Sequence, residues 1–375
     1  MPVIEKKERI LCIVGSMDVG GAETFLMKIY REIDRNKYQM DFYVTATNEG
    51  YYEDEIMNLG GKIYRSLPKT KSFLKSLNNL RKVVRENKYK NVFRLSQHSL
   101  STLDLLVARI GGANNLIFRS SSTSTNRGKV SDVLHIMFRW LARIIPTVKV
   151  APSNESAIFM FGEKYVNKGK VNIVHNAIDV KKFSFDNSKR NFIRKQLGIN
   201  DEFVIGHVGR FSKVKNHEFL LNIFCEVIKD CPKSILLLVG DGELRQCIEN
   251  RVQILGISDK VIITGIRQDV SDLMMAMDTF VFPSFYEGMP NTVIEAQATG
   301  LKCFVSKSIT NQVNITGNVE FLSLEDDASF WGHHLLDACG EYAREEAILK
   351  VVDVGYDITS TVKKLTKLFF QTSKI

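Results

Sequence analysis

The sequence predicts an α/β protein built from two doubly wound halves, and three observations carry that expectation. Short apolar runs of β type alternate with segments of helical periodicity along nearly all of the 375 residues, the pattern of parallel sheets covered by helices. The alternation lapses once, in the polar stretch DVKKFSFDNSKRNFIRKQLGIN at 179–200, and then restarts. The chain is also longer than one hydrophobic core usually serves, because beyond about 250–300 residues chains divide into domains.

In the first half the expected strands are RILCIV, MDFYVT, NVFRLS, NLIFRSS, VKVAPS and VNIVHN, with helices starting near Ala22, Tyr52, Ser72, Leu100, Val130 and Asn154. In the second they are FVIGHVG, SILLLVGDG, KVIITG, TFVFPSF and KCFVS, with helices from Asn216, Glu243, Val270 and Asn291. Residues 1–177 are expected to form the first domain, 178–355 the second, and 356–375 a helix packing back on the first, the polar stretch marking the boundary region. Ligands of such Rossmann-like sheets bind beyond the carboxyl ends of the strands. Two halves facing each other would place a cleft between them.

Composition narrows the class. With 44% hydrophobic and 25% charged residues and 7 prolines, the chain reads as a globular enzyme. The opening MPVIEKKERILCIVG has too short an apolar run, and no small-residue cleavage site, for a signal peptide, so it reads as a first strand. No run approaches the roughly 18 apolar residues that span a bilayer, and a cytoplasmic location is expected. Cys12, Cys225, Cys231, Cys247, Cys303 and Cys339 form no CxxC pair and are expected as buried reduced thiols. Charge is lopsided: residues 1–177 hold 28 Lys and Arg against 16 Asp and Glu, and the remainder 23 against 26. A basic half suggests an anionic partner. The absence of any helix-turn-helix, RNA-binding or zinc-finger signature argues against nucleic acid and leaves a membrane surface. A plain solvated helix is the competing explanation, since KTKSFLKSLNNLRKVVRENKYKN alone supplies eight of the positive charges.

Three motifs carry chemistry. In FPSFYEGMPNTVIEAQATG, a strand exits into a Gly/Pro-punctuated loop and then a helix, with Glu287 in the loop and Glu295 in the helix. The helix start offers free N–H groups and the positive end of the dipole. Glu287 can accept hydrogen bonds from sugar hydroxyls, and Glu295 from a vicinal diol such as a ribose. In GHVGRFSKVKNHEFL, Arg210 and Lys215 follow a strand at the same edge, a fork and a point charge that together suit a diphosphate. In VGSMDVGGAETF, Gly20 and Gly21 let backbone approach a ligand before the first helix. No G-x-G-x-x-G fingerprint is present, which disfavours a dinucleotide. Gly240 and Gly242 of VGDGELR read as turn formers. No D-x-D pair follows a strand, and Glu325–Asp327 reads as a surface loop, so no metal and no cofactor is expected.

Together, EGMPN through Glu295, Arg210 with Lys215 upstream, and the Gly20–Gly21 pair resemble the retaining GT-B glycosyltransferases of family four, and most closely bacterial members that assemble capsular and exopolysaccharide glycans. The likeness extends over nearly the whole chain, through VHNAIDVKKF, LLLVGDGELR and VIITGIRQDVSDLMMAMDTFVFPSF. It implies that Arg210 and Lys215 hold the diphosphate of a nucleotide sugar. Glu287, with the backbone of Gly288, Met289, Pro290 and Asn291, would contact the transferred sugar and its phosphate. Glu295 would hold the ribose, and Gly265, Ile266 and Arg267 would flank the base.

His98 matches one family histidine. Many relatives have another after the strand that matches NLIFRSSSTS, a region that Arg119 and Ser120–Ser122 occupy here, which leaves Arg119 as either an acceptor contact or a structural pair. The implied activity is transfer of a hexose or N-acetylhexosamine from a UDP-sugar to a glycan or lipid-linked acceptor. A GT-B epimerase and a non-catalytic scaffold are the alternatives. Leu134, Met137, Phe138, Leu141 and Ile145, with Arg139, Trp140 and Arg143 alongside, read as a helix lying either against the core or on a membrane.

Overall fold

A computed structural model describes residues 7–18, 20–66, 72–122, 128–338, 344 and 347–370. The chain divides into two compact units: residues up to Ala177 together with those from Ile358 onward, and Ile178–Asp357.

The first unit is a seven-stranded sheet of β1 (Glu8–Val14), β2 (Tyr38–Val44), β3 (Ile63–Arg65), β4 (Asn91–Ser96), β5 (Asn115–Ser120), β6 (Val148–Ala151) and β7 (Asn172–Ile173). The second is a six-stranded sheet of β8 (Phe203–Val208), β9 (Ser234–Val239), β10 (Val261–Ile263), β11 (Thr279–Phe282), β12 (Lys302–Ser306) and β13 (Val319–Leu322). All the strand pairs are parallel, in the orders β3-β2-β1-β4-β5-β6-β7 and β10-β9-β8-β11-β12-β13. Both sheets therefore reverse winding direction beside their first strand, between β1 and β4 and between β8 and β11. The carboxyl edge at such a switch point is where doubly wound sheets bind ligands.

Central strands such as SILLLV are near-continuously apolar because helices cover both faces. The three-residue β3 and the VEFL strand β13 carry too few apolar positions to stand out in the sequence, and both lie at sheet edges.

The polar stretch at 179–200 is not an open connection. It contains a helix at Asn187–Gln196, capped by Asp186, whose side chain accepts from Ser188 N–H and Lys189 N–H. Arg190 and Arg194, one turn apart, reach the carbonyls at the end of helix Val270–Ala276. Both also pair with Asp278, at 2.5 and 3.2 Å, and Asp278 in turn accepts from Val204 N–H at 2.7 Å. Charge-assisted bonds dock this helix, so an apolar-periodicity test misses it.

A second difference concerns the segment beginning at Lys129. It is two helices, Lys129–Met137 and Arg139–Ile144, broken at Phe138. The terminal helix Ile358–Phe370 packs on the first sheet: Phe369 lies 5.0 Å from Phe93, Phe370 stacks on Tyr38 at 4.4 Å, and Asn115 Nδ2 donates to the Leu368 and Phe369 carbonyls. Cys12 and Cys303 are buried thiols, Cys225 and Cys231 are partly buried, and all are unpaired. Cys247 is exposed, contrary to the expectation of burial, and Cys339 lies outside the described residues.

Candidate functional site: two strand exits joined by an ion pair

In the second unit, the exits of β8 and β11 meet at the switch point. After β8 the chain turns through Gly209, Arg210 and Phe211 into a 3-10 turn at Lys213–Lys215. Asn216 then adopts left-handed backbone (φ 55°) and starts helix His217–Asp230. The Lys215 stem lies across Gly209, where a Cβ would come within 3.1 Å of Lys215 Cε; glycine is what lets it lie flat. Lys215 Nζ sits 2.7 Å from Glu287 Oε1 and 4.3 Å from the centre of the Phe282 ring. Two backbone-anchored bonds hold the loops together, Phe285 N–H to Val214 O at 2.9 Å and Asn216 Nδ2 to Pro283 O at 3.2 Å.

Lys215 and Glu287 are thus brought together, 72 residues apart in sequence. Arg210 leaves the same strand exit, but its side chain is 75% exposed and lies 3.2 Å from Glu243, a partner that the turn-forming role of VGDGELR had not suggested. Gly240 and Gly242 do serve the turn. A Cβ on Gly240 would lie 2.0 Å from Gly209 O, so the exits of β8 and β9 touch backbone to backbone.

Pro290, in extended conformation, caps helix Asn291–Ala298; Asn291 opens it, and Glu295 lies in its second turn with 9% exposure. Met289 packs against the core, while Gly288 is exposed. At the exit of β10, Gly265 has φ 71° and accepts from Gly240 N–H, Ile266 is exposed, and Arg267 is clasped by Asp269 at 2.7 Å. An exposed aliphatic residue between a glycine and a tethered arginine offers a flat apolar surface for a base.

Among the described residues, His207 Nε2, both ring nitrogens of His217, Ser284 Oγ and Asn291 Oδ1 are buried in this part of the unit without a hydrogen-bond partner. Buried polar groups are usually satisfied, so their concentration beside the Lys215–Glu287 pair marks capacity for a polar ligand. His207 Nδ1 donates to the Val281 carbonyl at 2.8 Å, which leaves Nε2 as a bare acceptor. Burial pushes the His207 pKa well below the usual value, with His217 and Lys215 adding to the shift. Burial, then Lys215, takes His217 down to about 4. Two neutral imidazoles, 4.8 Å apart, therefore underlie this loop at neutral pH. His207 and Ser284 were not singled out from the sequence; a polar residue at each strand end just before the Arg210 and Glu287 loops was the only signal.

The first unit holds the other candidates. Gly20 is the N-cap of helix Gly21–Glu32, and Gly21 is exposed with open space around it. The Glu23 carboxylate folds against Gly20, and burial raises its pKa. His98 caps the 3-10 turn at Ser99–Thr102: Nδ1 accepts from Leu100 N–H, so Nε2 carries the proton and donates to Ser131 O at 3.1 Å. Arg119 is 1% exposed. It donates to Asn176 Oδ1 at 2.6 Å and lies 3.9 Å over the Phe25 ring, and burial lowers it to about 9. Of its two alternatives the geometry favours the structural pair: a side chain enclosed in this way has no face for an acceptor.

Comparison with known proteins gives the family and the fold. Residues 202–338 match the family model described as "Glycosyl transferases group 1". The chain is 31% identical over 375 residues to the putative glycosyltransferase EpsF of Bacillus subtilis, covering 97% of this chain and 96% of that one. The chain belongs to the group 1 glycosyltransferases. This glycosyltransferase is also 31% identical over 255 residues to the UDP-Gal:alpha-D-GlcNAc-diphosphoundecaprenol alpha-1,3-galactosyltransferase of Escherichia coli, covering 65% and 63% of the two chains. Its structure matches that of Anabaena HepE in complex with UDP and glucose with a TM-score of 0.74, at 18% identity over 96% and 98% of the two chains. The glycosyltransferase thus has the two-domain GT-B fold of the family-four type that its motifs resemble. The epimerase alternative is not favoured.

Proposed function

We propose that this glycosyltransferase moves a hexose or N-acetylhexosamine from a UDP-sugar to a lipid-linked or glycan acceptor of a cell-surface polysaccharide, with retention at the anomeric carbon. The observation that carries the reading is the 2.7 Å contact of Lys215 with Glu287 at the switch point. It puts a cation for the departing diphosphate beside a carboxylate for the sugar hydroxyls. The names of the Escherichia coli relative and the Anabaena complex support a UDP-linked donor, and the former a diphosphoundecaprenol-linked acceptor.

In this scheme the bond from C1 to the phosphate oxygen breaks as the acceptor oxygen bonds C1 on the same face. The leaving phosphate takes the acceptor's proton. Lys215 and Arg210 stabilise the charge on that phosphate, so the scheme calls for no divalent ion. Glu287 orients the sugar, Glu295 the ribose, and Gly265, Ile266 and Arg267 the base. His98 shapes the acceptor side by holding the turn at Ser99–Thr102.

The two glutamates separate in a direct test. Glu295→Gln should weaken UDP binding in calorimetry by about tenfold to a hundredfold, the loss of one charge-assisted bond of about 1.5–3 kcal/mol. Glu287→Gln should cut turnover while leaving UDP affinity equal or tighter, because Lys215 loses its competing carboxylate. The reverse pattern would exchange the two roles. Retention is checked by the anomeric configuration of the product in NMR: an α donor should give an α linkage, and a β product would overturn the retaining assignment.

A peripheral position on the cytoplasmic leaflet is part of the same proposal. Among the described residues no helix is long and apolar enough to cross a membrane. Val130, Val133, Ile136, Met137, Trp140 and Ile144 of the two helices after Lys129 nonetheless project outward, Trp140 with 51% exposure. Ile145 is buried and Arg143 turns inward to the Phe161 carbonyl, so the outer face is apolar rather than basic. Outward charge comes instead from Lys75, Arg81, Lys82 and Arg85 on helix Phe73–Glu86, next to exposed Phe73 and Leu74. Salt-sensitive binding to anionic vesicles is expected, each basic residue adding about 1 kcal/mol. Trp140→Ser should reduce it severalfold in co-sedimentation. Equal binding to neutral vesicles, or none at low salt, would point to a soluble acceptor.

A further inference from the structure

Behind the 3-10 turn that presents Lys215 lies a cavity of about 390 Å³, between the first turns of helices His217–Asp230 and Arg245–Ile254. Its walls include apolar Leu221, Ile248 and Phe285. Two polar groups on it are unmatched. His217 is 2% exposed with neither ring nitrogen hydrogen-bonded, and Arg251 Nε is buried without a partner. Lys213 and Arg251 outnumber the single carboxylate on the wall, that of Glu218. An apolar hollow of this size with a few convergent polar groups has the make-up of a small-molecule site. Unsatisfied buried donors are costly unless something pairs with them.

We propose that this cavity is a regulatory site for a small organic acid, a carboxylate on a compact apolar body. The carboxylate takes the Arg251 guanidinium and the neutral His217 ring, and the body lies against Phe285 and Leu221. Occupancy reaches the reaction centre through backbone. Ser212, Lys213 and Asn216 on the wall flank Lys215, and Phe285, two residues before Glu287, bonds Val214 directly. Filling the cavity therefore resets the Lys215–Glu287 pair. This coupling, though not the cavity itself, rests on the donor-site reading above.

Benzoate, with neutral benzamide as control, tests the proposal, using exposed Cys247 on the cavity wall as reporter. Benzoate at millimolar concentration should slow methyl methanethiosulfonate modification of Cys247 at least fivefold, followed by mass spectrometry of its peptide; benzamide should not. Arg251→Met and His217→Phe should each abolish that protection, and circular dichroism will show that both variants are folded. Saturating benzoate should change the calorimetric Kd for UDP at least threefold, and saturating UDP should change that for benzoate by the same factor, as linkage requires. Absent protection, or protection that survives Arg251→Met, overturns the site. Protection with unchanged UDP affinity overturns the coupling. A chain that does not bind UDP overturns the donor reading instead, and Cys247 protection still decides the cavity.

Discussion

Lys215→Ala should lower turnover by about a hundredfold, the roughly 3 kcal/mol that one preorganised charge contributes to a developing oxyanion. In the proposed scheme Lys215 is the more critical of the two cations. Its stem is laid across Gly209, its ammonium is set over the Phe282 ring, and the loop carrying it is bonded to the Glu287 loop. Arg210, exposed and resting on Glu243, has further to travel, and Arg210→Ala should cost less, about tenfold. Lys215→Arg should not rescue, because a planar fork does not replace a point charge in the same space. Steady-state kinetics with donor and acceptor varied separately will measure these losses. Both alanine variants remaining within a few-fold of the parent would remove the diphosphate from this strand exit.

Acid should destabilise the second unit before its carboxylates protonate. His217 titrates near 4 when folded, against an ordinary value of 6.5. The unfolded chain thus binds the extra proton first as pH falls. Its contribution to stability is complete above about pH 6.5 and is lost as pH falls toward 4, amounting to about 2.5 kcal/mol between pH 7.5 and 4.5. His207, held down by the same burial, shifts in the same direction. Urea unfolding at the two pH values will measure the loss, and His217→Phe should remove about 2.5 kcal/mol of the difference. An unchanged pH dependence in that variant would mean that His217 is already solvated.

Much of this protein was legible in its sequence, and for a local reason. Parallel strands covered on both faces must be almost wholly apolar, so FVIGHV, SILLLV and TFVF announce themselves, as do the glycines and prolines at their exits. Glu287, Arg210 and Lys215 each stand in the loop just past such a strand, and their placement at a carboxyl edge follows from chain order alone. What failed locally was whatever is held by charge or by long-range contact. Helix Asn187–Gln196 was hidden because Arg190 and Arg194 dock it through Asp278 rather than through an apolar stripe.

The roles of polar side chains were decided only in three dimensions. The resemblance puts Arg119 and the serines after it in the region of a histidine that many relatives carry, yet Arg119 lies buried against the Phe25 ring and donates to Asn176. His98 became a cap because Leu100 N–H and Ser131 O fall at its two nitrogens. The sequence by itself determined two parallel sheets and which residues stand at their carboxyl edges, since both are functions of chain order and apolar run length. The tertiary structure alone decided that Lys215 meets Glu287 while Arg210 meets Glu243, because a pairing between distant loops depends on the order of strands in the sheet and on the backbone bonds that clamp their exits.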